Sequence, residues 1–68
     1  MGLVKRSFSL AGHRTSVALE PEFWTALEAL ARARGQTLSS LVAQLDARRD
    51  PARPLASMLR VTALLSRH

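Results

Sequence analysis

Residues 13–24 read HRTSVALEPEFW, and the pattern changes in the middle. Up to Leu19, polar and apolar side chains alternate, as on a strand with one buried face. Thr15, Val17 and Leu19 share one side of that strand, and Arg14, Ser16 and Ala18 share the other. From Pro21 the chain reads as a helix. Proline suits the first helical turn, and Glu20 and Glu22 suit its positive end.

Upstream, SFSL alternates in the same way, with Phe8 and Leu10 against Ser7 and Ser9. Ala11-Gly12 can serve as a two-residue turn between the two stretches. Residues 1–12 are therefore either an extra strand of a hairpin or a loose basic arm. Downstream, PEFWTALEALARAR places Phe23, Leu27, Leu30 and Ala31 on one helical stripe, with Trp24 one position off it. Trp24 suits packing better than stacking on a ligand. Gly35 ends that helix where a left-handed residue is wanted.

Thr37 suits the N-cap of a second helix, its hydroxyl accepting from the N–H of Ser39 or Ser40. Leu38, Leu41, Val42 and Leu45 line one side of it, and Arg48 and Arg49 close it. Pro51 and Pro54 make residues 50–54 a break. From Leu55 the pattern is helical again, with Leu55, Met58, Leu59, Thr62 and Leu65 along one side and Val61 and Leu64 widening it. The sequence shows no internal repeat by inspection. The expected class is mainly α with a short β-ribbon. A lone strand would leave its ladder hydrogen bonds unmade, so a local hairpin or a strand from a second chain must pair with it.

The totals narrow the function. Sixty-eight residues make one domain at most, and nearly half are apolar. So small a chain buries little surface alone, which favours a homo-oligomer with a shared core. Cysteine is absent. That excludes disulfides and thiolate metal sites and suits a reducing cytoplasm. Ten Lys and Arg against five Asp and Glu favour a polyanionic partner. Lys5, Arg6 and Arg14 all precede the first acid, Glu20. No apolar run suits a signal peptide or a membrane span, so a cytoplasmic protein is expected. His13 and His68 are too isolated for a metal site. His13, Ser16 and Asp46 lack the arrangement of a triad, and no glycine-rich phosphate loop is present. Neither catalysis nor a cofactor is expected.

RTSVALEPEFWTALEALARARGQTLSSLVAQL resembles a ribbon-helix-helix domain of the Met and Arc repressor superfamily. The resemblance covers residues 13–49 and rests on order and spacing: alternating strand, Leu, Pro-Glu at the helix start, Gly before a Thr cap, apolar helix. AGHRTS and LASMLRV are also similar to a bacterial subgroup of small stand-alone members. On this reading residues 50–54 are a linker and residues 55–68 a C-terminal helix packing on the dimer.

The resemblance implies an intertwined homodimer in which two chains pair their strands into an antiparallel ribbon lying in the DNA major groove. It implies base contacts by Arg14, Ser16 and Ala18, although members often carry a longer polar side chain where Ala18 stands. It also sets the start of the second helix, Thr37, Ser39 and Ser40, against the DNA backbone, where free N–H groups and the helix dipole favour phosphate. Lys5 and Arg6 would clamp neighbouring phosphates. The shared core would hold Val17, Leu19, Phe23, Leu27, Leu30, Leu41, Val42 and Leu45. The expected function is sequence-specific binding of double-stranded DNA by a repressor, nucleoid-associated when bound. Two rivals stand beside it: antitoxin-like docking of a protein partner on the C-terminal helix, and non-specific nucleic-acid binding through charge alone. Read blandly, Arg14, Lys5 and Arg6 are solvated charges, and Thr37 is only a helix cap.

Overall fold

The computed structural model describes residues 2–66. Two strands, β1 (Val4–Leu10) and β2 (His13–Leu19), precede three helices, α1 (Pro21–Ala33), α2 (Leu38–Arg48) and α3 (Leu55–Leu65). The strands form an antiparallel hairpin running from Val4 opposite Leu19 to Leu10 opposite His13. Of the two sequence readings of the N-terminal segment, the strand is the one observed. β2 therefore finds its ladder partner inside its own chain.

Ala11 and Gly12 make the turn, and both have positive φ, 51° and 82°. That is the type I′ pattern, whose twist matches the strands it joins. Alanine is poorly suited to it, because its Cβ crowds the neighbouring carbonyl in the left-handed region. Ala11→Asn should stabilise the domain by on the order of 1 kcal/mol. A rise in the urea midpoint at unchanged slope would show it.

The caps follow from local chemistry. Gly35, at φ 68°, ends α1. Its N–H donates to the Arg32 carbonyl, and that of Gln36 to the Ala31 carbonyl, at 3.0 Å each. This pair of bonds satisfies carbonyls that the helix end leaves free. At α2, Thr37 Oγ1 accepts from the Ser40 N–H at 3.0 Å. Between α2 and α3, Asp50 Oδ1 accepts from the Ala52 N–H at 2.9 Å, and Arg49 Nη1 donates to the Arg53 carbonyl at 2.8 Å. The break is thus a bonded turn.

α2 packs against β1, α3 against β2, and α1 against both helices. One core results: Phe8, Leu10, Val17, Leu19, Trp24, Leu27, Ala31, Leu41, Val42, Leu45, Leu59 and Ala63. Six of the eight residues expected in a shared core are buried within this single chain, because β1 supplies cover that the sequence reading assigned to a second copy and α3 closes another side. Phe23 and Leu30 differ. They are partly buried, at the edge of the core, while Trp24 takes the central position at 2% exposure. The buried line of α1 is Trp24, Leu27 and Ala31, so the helix is turned slightly from the expected stripe: Leu27 and Ala31 stay, and Trp24 replaces Phe23 and Leu30. Trp24 Nε1 donates to the Val4 carbonyl at 2.7 Å, and its ring lies 5.8 Å from that of Phe8.

Arg60 ties α3 to the start of α1. Its Nε and Nη2 each reach Glu20 Oε1 at 3.0 Å, and its guanidinium lies 5.8 Å from the Phe23 ring centroid. The Glu20 carboxyl is held below its ordinary value of 4.5, first by a backbone hydrogen bond at its own residue and then by Arg60, against a smaller opposing effect of burial. A depressed folded-state pKa means that this contribution is present above the ordinary value and is lost as pH falls through the depressed one. Glu20→Gln should therefore reduce the acid-side loss of stability. Urea midpoints at neutral pH and at about pH 3 would measure the difference.

Candidate nucleic-acid interface

Strand alternation sorts the hairpin into two faces. Phe8, Leu10, Val17 and Leu19 point into the core. Lys5, Ser7, Ser9, Arg14, Ser16 and Ala18 point outward, in three opposed pairs: Lys5 with Ala18, Ser7 with Ser16, and Ser9 with Arg14. Ala18 is half-buried and the other five are exposed. The face has two cations, three hydroxyls and no acid. The sequence reading identified Arg14, Ser16 and Ala18 as outward and left Ser7 and Ser9 without a role. Their parity with Lys5 was visible, but its meaning depended on β1 being a strand.

Ser7 Oγ and Ser16 Oγ lie 2.9 Å apart at the middle of the face. One hydroxyl donates to the other. The second keeps its proton, and both keep acceptor capacity, so the pair can meet either a donor or an acceptor from outside. Among the described residues, neither Lys5 nor Arg14 forms an ion pair. Both charges are free for an external anion.

Arg6 lies on the opposite face. Its Nη1 donates to Glu28 Oε2 at 2.8 Å, and its guanidinium lies 5.2 Å from the Trp24 ring centroid. It is bound to α1 and does not join Lys5 on the outer face. Both partners of the ion pair are more than a third exposed, so the pair contributes roughly 0–1 kcal/mol at most. The cation–π contact and the cover over Trp24 are its further contributions.

Thr37, Ser39 and Ser40 stand together at the exposed start of α2. The Ser40 N–H is taken by the Thr37 cap, and the Ser40 side chain bonds Gln36 Oε1 at 3.1 Å. The N–H groups of Leu38 and Ser39, in the first turn, lack helical acceptors. This is the local geometry that favours an anion at a helix start.

Three of the five acids are paired with cations of the chain: Glu20 with Arg60, Glu28 with Arg6 and Asp46 with Arg49. The net charge of +5 is therefore presented by cations on the surface, two of them on an acid-free ribbon. No helix among the described residues is long and apolar enough to cross a membrane.

The chain is a two-stranded ribbon backed by helices, with cations and hydroxyls on an outer face whose chemistry suits a polyanion. The chain belongs to the ribbon-helix-helix domain family, whose profile matches residues 3–66. The match takes in β1 and α3 as well as the central segment that carried the resemblance. Domains of this family are in general regulatory DNA-binding modules or antitoxins and are not enzymes; they typically dimerise. No curated protein and no solved structure gives a match.

Proposed function

We propose that the protein is a sequence-specific DNA-binding regulator that inserts its ribbon into the major groove and represses transcription by occupying its site. The observation that carries this reading is the outer ribbon face, with two free cations and three hydroxyls and no carboxylate. A major groove about 12 Å wide admits a two-stranded ribbon whose strands lie about 4.8 Å apart. Arg14 has the fork geometry for guanine O6 and N7, Ser16 can donate or accept, and Ala18 offers only a methyl contact to thymine. Thr37, Ser39 and Ser40 are assigned to the phosphate backbone, where the start of α2 offers its free N–H groups. Arg6, engaged by Glu28, is assigned to the fold.

The protein acts as a homodimer in this reading. Phe23 and Leu30 line an apolar groove of about 650 Å³ between α1 and α3, whose lining includes Leu64 and, among the described residues, no Lys or Arg. In a chain of net charge +5, an apolar surface with no cation among its described residues is where two copies approach with least repulsion. Sedimentation of the purified chain tests this. A homodimer is expected, and a monomer at micromolar concentration would refute it.

The same groove favours one rival. Leu64 and Leu65 are 62% and 65% exposed, so α3 also offers an apolar docking surface of the kind an antitoxin uses for a protein partner. A stoichiometric partner co-purifying from the native cell would support that reading. The decisive experiment on the main reading is selection of bound duplexes from a random DNA pool at physiological salt. Enrichment of a motif is expected. Recovery without a motif would mean binding through charge alone. No recovery would shift the function to partner docking.

A further inference from the structure

The hairpin register places Ser7 opposite Ser16. An antiparallel pair has a local two-fold axis through the midpoint of directly opposed residues. Rotation about the axis at Ser7 and Ser16 carries Lys5 onto Arg14 and Ser9 onto Ala18. On the inner face it carries Arg6 onto Thr15, Phe8 onto Val17 and Leu10 onto Leu19. The strands read KRSFSL and RTSVAL: a cation, one residue, serine, an apolar residue, a small residue, leucine. This nine-residue repeat is hard to see in the sequence, where Phe stands against Val and Lys against Arg. The register makes it a symmetry of the folded chain.

We infer that the hairpin of one chain is by itself a complete base-reading unit with approximate two-fold symmetry, in which Lys5, Ser7 and Ser9 of β1 determine specificity together with Arg14, Ser16 and Ala18 of β2. The inference rests on the DNA-binding reading above and adds to it the identity of the reading set and the form of the site. Both cations are exposed and unpaired, and the axis relates them. Each suits guanine O6 and N7, Arg14 with two donors in a fork and Lys5 as a point charge. They stand four residue steps apart along the ribbon, roughly 14 Å at about 3.4 Å per residue. At about 3.4 Å per base step, this corresponds to roughly four steps. Since the axis exchanges the two DNA strands, the guanines it pairs with lie on opposite strands. The Ser7–Ser16 pair faces the centre of that site. Symmetry fails at Ser9 and Ala18, where one arm can hydrogen-bond a base edge and the other can only touch a methyl group. The site is therefore a short imperfect palindrome read by a single chain.

The experiment is selection from a random duplex pool with the full chain and with its Lys5→Gln, Arg14→Gln and Ser9→Ala variants. Affinities for the parent's duplex are measured alongside. The two cation variants should each lose one guanine, on opposite arms, and each bind the parent's duplex about tenfold more weakly. Ser9→Ala should make the two arms of the motif more alike. If Arg14→Gln changes the motif while Lys5→Gln and Ser9→Ala leave it unchanged, DNA reading by β2 stands and the single-chain ribbon is overturned. If Lys5→Gln weakens all duplexes equally, Lys5 meets phosphate and the inference is again overturned. If the parent enriches no motif, the DNA-reading function itself fails.

Discussion

Arg14→Glu is expected to lower affinity for the selected duplex at least about a hundredfold while leaving the domain folded. A good bidentate contact to guanine is worth about 1–3 kcal/mol of discrimination, and the new carboxylate adds repulsion from the phosphates on either side of the groove. The fold has little to lose. Arg14 is exposed, opposes Ser9 across the hairpin, and makes no ion pair among the described residues. Exposed substitutions of this kind usually change stability by no more than about 0.5 kcal/mol. Fluorescence anisotropy at physiological salt reads the affinity, and a urea melt reads the fold. A variant that is folded and binds like the parent would remove the ribbon face from the DNA interface. Arg14→Lys adds a finer test. It keeps the charge and loses the fork, so it should weaken preference for guanine more than it weakens binding to unselected DNA.

The parts of the fold that were legible in the sequence are those governed by near neighbours. Alternation gave β2 and its outward set, Gly35 and Thr37 marked the helix ends, and the two prolines marked the break. The illegible parts depend on partners far along the chain. Arg6 meets Glu28 from 22 residues away, and Arg60 meets Glu20 from 40. Nothing local marks either pair. Because Lys5 and Arg6 are adjacent, they read as one basic clamp, yet on a strand adjacent side chains must part. Once β1 is a strand, Lys5 goes out to the face and Arg6 goes in to Trp24. The rotation of α1 has the same origin. Lines through Phe23 and through Trp24 both fit helical spacing. The choice is made by Phe8 and the Val4 carbonyl, which exist as partners for Trp24 only when β1 is in place. For Ala63, a small side chain carries little hydropathic signal, although it is buried in the core.

Trp24→Ala should have the largest effect on stability of any single substitution. Truncating a buried aromatic costs about 3–5 kcal/mol, against a total of roughly 3–10 kcal/mol for a domain of this size. Trp24 is central for more than its volume. It packs on Phe8, covers the inner side of Arg6, and holds the first residue of β1 through its Nε1–H. Its loss therefore loosens β1 from α1 as well as opening a cavity. The variant is expected to be largely unfolded at 37 °C, with DNA binding lost as a consequence. Circular dichroism during a urea titration measures this, and a cost below about 1 kcal/mol would show that the ribbon is not seated through Trp24. Trp24→Phe separates the two contributions. It keeps an aromatic ring against Phe8 and removes the donor to the Val4 carbonyl, at a cost of about 1 kcal/mol for the hydrogen bond plus the smaller ring. That variant should fold. If β1 belongs to the reading surface, its weakened seating should also cost the variant affinity for the selected duplex, which an equally destabilising Leu45→Val change on α2 should leave unchanged.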